Sequence, residues 1–135
     1  MENLKAFLNP IKEENIKFVP SKRFKDDEGN YVYWEIKSIN SDEDEKIRNS
    51  CIKKSKNGSQ EIDFNKYIGL LAATCTVFPN LNDIQLQDSY NVMGSDSLLK
   101  AMLKPGEYAY YIKKVQEING FDVSMNELIN TAKNL

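Results

Sequence analysis

The chain contains no histidine. That removes the one side chain whose ordinary pKa lies near neutrality, and with it the commonest general base and the commonest metal ligand. Cysteine is scarce as well, with only Cys51 and Cys75, far apart in the sequence. Two isolated cysteines without histidine cannot complete a tetrahedral zinc site, and they are too few for the disulfide framework of a small secreted domain. Each occupies an apolar position of a helical pattern, where a reduced cysteine behaves as a small hydrophobe. The six glycines fall singly, mostly at turns and element ends. None belongs to a G-x-x-x-x-G-K-[ST], G-x-G-x-x-G or G-x-S-x-G motif, so neither a phosphate cradle nor a nucleophile elbow is present.

Long apolar runs are missing too. None approaches the roughly 20 residues needed to cross a bilayer, and Met1-Glu2-Asn3-Leu4-Lys5 lacks the charged-then-apolar order of a signal peptide. The expectation is a protein of the bacterial cytoplasm. An excess of one charge is also absent, since 18 basic and 20 acidic residues are interspersed for a net charge of −2. Binding to phosphate backbones ordinarily leaves a basic excess. Nucleic acid and membranes are therefore not expected as partners. No cofactor or metal is expected, and the residue types present argue against an enzyme.

What is present suits an ordinary globular core. Hydrophobic residues make up 41% and charged residues 28% of the chain. The 135 residues are expected to form one domain, spanning 1–135. A chain of this size buries roughly two thirds of the surface its unfolded form exposes. The predicted class is α+β, mainly α, with an N-terminal β-hairpin packed on a helical domain.

Residues 1–15 read as a loosely ordered arm in which Leu4, Phe7 and Leu8 share a helical face and Pro10 ends the turn. Residues 16–39 read as the hairpin. Ile16-Lys17-Phe18 alternates, Tyr31-Val32-Tyr33-Trp34-Glu35-Ile36 is β-branched and aromatic, and Asp26-Asp27-Glu28-Gly29-Asn30 supplies a polar turn. Val32, Trp34 and Ile36 share one face, which has to pack on helices because a lone hairpin is marginal in water.

From 41 to 135 the helical period dominates. Ser41-Asp42-Glu43-Asp44 opens a helix that closes toward Lys53 and Lys54, followed by a polar loop from Ser55 to Gln60. The strongest helix runs from about Asp63 to Val77, its apolar stripe drawn by Phe64, Tyr67, Ile68, Leu71, Ala72 and Cys75. Pro79 stops it and pushes Phe78 toward extended geometry. A short helix follows, capped by Asn82 or Asp83, and then another capped by Ser95 or Asp96. A further helix starts at Pro105 and stops at Gly120, and a last one is introduced by the capping box Ser124-Met125-Asn126-Glu127.

Four features suggest sharper chemistry and are better explained structurally. Asp26-Asp27-Glu28 lacks the alternating spacing of a calcium loop and suits a solvated hairpin tip. Lys53-Lys54-Ser55-Lys56 suits a helix end and its solvated loop. Asn57-Gly58-Ser59 matches a glycosylation acceptor with no secretory context to use it. In the cluster Tyr108, Tyr110 and Tyr111, the first and last share an inward face, and Tyr110 points elsewhere.

Beyond the residues themselves lies a resemblance. Ser21-Lys22-Arg23-Phe24-Lys25-Asp26 with Trp34-Glu35-Ile36, the stretch from Asn65-Lys66-Tyr67 through Phe78-Pro79-Asn80-Leu81, and Leu86-Gln87-Asp88-Ser89-Tyr90-Asn91-Val92-Met93-Gly94 occur in order. Met102-Leu103-Lys104-Pro105-Gly106-Glu107-Tyr108 and Val115-Gln116-Glu117-Ile118-Asn119-Gly120-Phe121 continue the series. Together they resemble the XkdN-like phage tail assembly chaperones over nearly the whole chain beyond the arm. The resemblance implies a helper of tail construction in a phage or phage-derived contractile particle. Such a helper binds the tape measure protein, keeps its apolar and coiled-coil segments soluble, and helps bring tail tube subunits to it, with self-association along the client as a further expectation. The competing readings are a helical adaptor for another protein and a structural component retained in the particle. The expected protein-binding residues are Trp34 and Tyr33 of the hairpin with Tyr110 and Tyr111 of the following helix, because two elements carry more aromatics than a small core absorbs.

Overall fold

A computed structural model describes residues 3–121. These form six helices, α1 (Leu4–Leu8), α2 (Ser41–Ser50), α3 (Phe64–Cys75), α4 (Ile84–Ser89), α5 (Ser95–Met102) and α6 (Pro105–Ile118). Five short strands accompany them: β1 (Ile16–Phe18), β2 (Trp34–Ile36), β3 (Ile52–Lys54), β4 (Gln60–Ile62) and β5 (Thr76–Phe78). The mixed α+β class holds. The expected last helix from Ser124 lies outside the described residues.

Helix α3 is the centre of the packing, in contact with α2, α5 and α6. Its stripe Leu71, Ala72 and Cys75 enters a continuous core with Trp34, Ile36, Leu98, Leu99, Met102, Tyr111 and Val115. Asp63 starts the helix, and its carboxylate accepts the backbone N–H of Lys66 at 3.2 Å. That bond satisfies a donor which has no partner within the helix. Asp63→Ala is expected to destabilise the fold by about 1 kcal/mol. Urea unfolding followed by circular dichroism reads this as a lower midpoint at unchanged slope.

The N-terminal strands pair antiparallel as expected, with Ile16 opposite Ile36 and Phe18 opposite Trp34. They do not form an isolated hairpin. β5 pairs with the other side of β2, giving a three-stranded sheet in the order β1-β2-β5. The chain between β1 and β2 makes its own tight turn, where Lys25 bridges to Tyr31 and the Asp26 carboxylate accepts the N–H groups of Glu28 and Asn30.

The strand β5 corrects the expected extent of the central helix, which ends at Cys75 rather than Val77. Thr76 and Val77 are β-branched, Pro79 disfavours helical geometry just before it, and an unpaired edge of β2 is available to them. A second correction concerns the range read as purely helical. Helix α2 stops at Ser50, and Ile52–Lys54 pairs with Gln60–Ile62 as an antiparallel hairpin. Its turn is closed by the Ser55 N–H donating to the Ser59 carbonyl at 2.7 Å, with Gly58 at a φ of 85°. The caps of two helices also shift by one residue. Asn40, not Ser41, caps α2 by accepting from the Glu43 N–H, and Gly94 precedes α5 at a φ of 99°. Asp83 caps α4 as anticipated.

Candidate protein-binding surface

Alternation along β2 divides its neighbours between two worlds. Trp34 and Ile36 point inward, Trp34 being only 1% exposed. Its ring lies 5.6 Å from Tyr111, edge to face, and 5.8 Å from Phe24. Tyr33, one residue earlier, is 63% exposed. Trp34 therefore belongs to the core, and its surroundings open to the surface only at a shallow hollow that it lines with Phe24 and Val32.

The tyrosines of α6 divide in the same way. Tyr111 is fully buried, and its hydroxyl lies 2.6 Å from Thr76 Oγ1. Burial pushes its pKa well above the ordinary tyrosine value. Tyr108 is half-buried and is raised for the same cause. Tyr110 is 49% exposed, with Phe18 edge-on at 6.1 Å and the Lys114 ammonium 5.5 Å from its ring. Of the four expected residues, the structure leaves Tyr33 and Tyr110 accessible and withdraws Trp34 and Tyr111. The accessible pair is not contiguous. Tyr110 packs against Phe18, whose β1 position is paired with inward-facing Trp34, whereas Tyr33 alternates to the other side of the sheet.

A residue outside the expected set is also exposed. Phe78 pairs opposite Glu35 across β2 and β5, beside a register irregularity between Glu35 and Ile36, and it is 51% exposed. Phe78, Pro79 and Leu86 form a ridge between two shallow hollows. One, of about 430 Å³, is completed by Asn80, Asp83, Gln85 and Ser89. The other, of about 340 Å³, reaches Phe24, Val32, Trp34, Met102 and the stem of Arg23. The signal for Phe78 was present in the sequence as an aromatic residue held extended by Pro79. Which face it would take depended on a strand pairing that periodicity does not reveal.

Arg23 fixes one wall of the second hollow. Its guanidinium donates to the Met102 carbonyl at 2.5 Å and to the Glu107 carboxylate at 3.1 Å, and stacks over Phe24 at 5.3 Å. The Glu107 carboxylate also accepts the Lys104 N–H at 2.8 Å. That backbone bond, ahead of contributions from Ser21 and Arg23, holds its pKa below the ordinary carboxylate value. The loop before β2 is thereby tied to the junction of α5 and α6.

The arm contributes a separate apolar feature. Helix α1 forms and breaks before Pro10, yet Leu4, Phe7, Leu8 and Ile11 are all exposed. Among the described residues no group of three or more cysteine, aspartate or glutamate side chains gathers where it could hold a metal ion. No helix among them is long and apolar enough to cross a membrane. What the surface offers is aromatic and aliphatic side chains beside shallow hollows, the chemistry of protein–protein contact.

Comparison with known proteins agrees with this character. The family model described as the phage XkdN-like tail assembly chaperone protein matches residues 4–133. The uncharacterized protein YqbN of Bacillus subtilis strain 168 is 33% identical over 129 residues, covering 92% of this chain and 87% of YqbN. The phage-like element PBSX protein XkdN of the same strain is 30% identical over 129 residues, with the same shares covered. The crystal structure of YqbN superposes with a TM-score of 0.73 at 30% identity, covering 87% of this chain and 96% of that one. The chain belongs to the XkdN-like phage tail assembly chaperone family, and its role lies in phage tail assembly.

Proposed function

We propose that this protein acts in the host cytoplasm by binding the tape measure protein, holding its apolar segments soluble and helping bring tail tube subunits to it. The observation that carries the reading is the shallow hollow lined by Phe24, Val32, Trp34, Phe78, Pro79 and Leu86, at which Phe78 stands exposed, with Tyr33 exposed nearby in the chain just before β2. A holdase needs a surface that competes with aggregation for apolar segments, and shallow aromatic contacts allow the client to leave. Assembly-chaperone work is non-catalytic, which suits a chain without histidine. Tyr110 extends the contact on the far side of β1 in this reading.

Co-expression with the tape measure protein of the same genome tests it. The wild-type chain is expected to raise the soluble yield of that protein and to co-purify with it. The double change Tyr33→Ala and Phe78→Ser is expected to reduce recovery at least tenfold, which corresponds to about 1.4 kcal/mol of binding, with the melting temperature little altered. No recovery with the wild type would remove the chaperone reading. Recovery unchanged by the double variant would remove this face from it. Presence of the protein in purified intact particles would instead favour a retained structural component.

A further inference from the structure

Two apolar features stand without a partner among the described residues. The first is the arm. Leu4, Phe7 and Leu8 share one face of α1 at i, i+3 and i+4, and Ile11 follows beyond Pro10. All four lie in solvent, with Phe7 80% exposed. Asn15 anchors the root of the arm, its side-chain amide donating to the Glu35 carboxylate at 2.8 Å just before β1 begins. The link 9–15 forms no helix or strand and spans up to about 25 Å when extended.

The second feature is a groove of about 200 Å³ between α3 and α6, lined almost wholly by apolar side chains. Phe64, Tyr67 and Ile68 form one wall, and Ile112 and Phe121 the other. The stripe of α3 is apolar along its whole length, but only its C-terminal part enters the core, which leaves Phe64 64% exposed.

The two features match in size and chemistry. An apolar cavity of about 150 Å³ holds a benzene molecule, so this groove has room for the ring of Phe7. Leu4 and Leu8, on the same helix face, then cover the exposed rims at Phe64 and Phe121. The arm of the same chain is poorly placed to do this. At about 100° per residue, Ile112 and Gln116 lie on the flank of α6 opposite Tyr110, and β1 packs on the Tyr110 flank through Phe18. The arm therefore leaves the body across α6 from its own groove. A second copy offers its groove without that obstacle, and reciprocal exchange closes a two-fold pair. Taking about 100–150 Å² from each exposed side chain of the arm, two arms and the grooves receiving them bury on the order of 1,500 Å². A stable interface needs about 1,200–2,000 Å².

We propose that two copies of this chain exchange N-terminal arms, the Phe7 ring of each entering the α3–α6 groove of the other between Ile68 and Ile112. The exchange needs no client. It uses residues other than Tyr33 and Phe78 and does not depend on the tape-measure reading.

Sedimentation velocity on the purified full chain, over a wide concentration range and with no tail protein present, tests it. The wild type is expected to sediment as a reversible dimer. The double change Phe7→Ser and Leu8→Ser, both on the exposed arm, is expected to weaken dimerisation at least tenfold with the circular dichroism unchanged. Phe64→Ser approaches the contact from the groove and is expected to weaken it as well. Combining the three changes should cost no more than the stronger set alone, because they remove one contact. In a mixture of isotope-labelled and unlabelled copies, intermolecular cross-peaks are expected between the Phe7 ring and the Ile68 and Ile112 methyls. A chain that stays monomeric at every concentration would overturn the proposal. So would a dimer indifferent to both variants, which puts the interface elsewhere. Phe7 cross-peaks confined to single chains would overturn it in favour of the chain's own arm as occupant. Each of these failures leaves the tape-measure reading standing, since that reading is tested through Tyr33 and Phe78.

Discussion

Trp34→Ala is expected to cost about 3–5 kcal/mol of folding stability, the range for truncating a buried aromatic side chain. The side chain is 1% exposed and lies where the sheet meets the helices, against Phe24, Tyr111 and the core cluster with Ile36, Leu98 and Val115. Its removal opens a cavity that short strands and tightly packed helices cannot collapse to fill. Each aromatic pair it makes adds about 0.5–1.5 kcal/mol beyond the area buried. Domains of this size are stable by only about 5–15 kcal/mol, so a loss on this scale leaves a large part of the protein near its unfolding transition. Urea unfolding followed by far-ultraviolet circular dichroism measures it, since the substitution removes the lone tryptophan fluorophore. The midpoint is expected to fall by about 1–3 M, given slopes of about 1–3 kcal/mol/M. Trp34→Phe keeps a ring against Tyr111 and is expected to lose well under half as much. A loss below about 1 kcal/mol for the alanine variant would show that the site is not the packed core described.

The same substitution separates two roles that the sequence had merged. A docking role for Trp34 predicts a folded variant that no longer binds its client. Burial predicts that any binding loss tracks the fraction unfolded and is rescued at lower temperature or by Trp34→Phe. Tyr33→Ala behaves in the opposite way, with binding affected and stability nearly unchanged, because that side chain is mostly in solvent.

How far the sequence reaches is visible element by element. The helices that carry both a stripe and a cap were legible: α3 behind Asp63, α4 behind Asp83, and α6 with Pro105 at its start. The inward face Trp34–Ile36 was legible from period two alone. The arm helix with Pro10 beyond it was also foreseeable. The hairpin β3–β4 was hidden because all of its lysines favour helix and the strands have only three residues each. Its one clear signal, Asn57-Gly58 between apolar Ile52 and Ile62, fits a polar loop as well as a hairpin turn. Strand β5 was hidden for a different reason. A three-residue strand exists through its neighbour, and only the tertiary fold brings Thr76 and Phe78 beside β2. The position of exposed Phe78 depends on that pairing, so sequence reasoning found Tyr33 and not Phe78. The apolar hollow between α3 and α6, bordered by Phe64, Ile68 and Ile112, was likewise out of reach, since a stripe tells which face is apolar but not how much of it meets a neighbour.

The second large effect concerns alkaline pH. Tyr111 is buried with its hydroxyl on Thr76, and burial raises its pKa above the ordinary 10.0. Cys75 lies beside it in the core and is raised above 9.0, chiefly by burial. Tyr67 is raised by desolvation and by the hydrogen bond it donates to Asp44 at 2.5 Å, but it is more accessible and solvent weakens its share. For each group the folded state favours the protonated form. The stabilisation is fully present below the unfolded pKa and is lost as pH rises toward the folded one, because the unfolded chain ionises first. Loss therefore begins near pH 9.0 with Cys75 and steepens above 10.0 with the tyrosines. A single buried tyrosine contributes a slope of about 1.4 kcal/mol per pH unit in that window. Tyr111→Phe removes this contribution. At neutral pH the variant is expected to be less stable by about 1 kcal/mol, the net worth of one hydrogen bond, because Thr76 keeps the Ala72 carbonyl as an acceptor at 2.8 Å. Above pH 10 the deficit is expected to shrink by about 1.4 kcal/mol per unit, so that the variant overtakes the wild type near pH 11. Urea midpoints for the two proteins at closely spaced alkaline pH values measure the crossing. Parallel curves, with no narrowing above 10.0, would mean that the Tyr111 hydroxyl ionises as freely in the fold as in the unfolded chain, and that its position against Thr76 beneath the sheet is wrong.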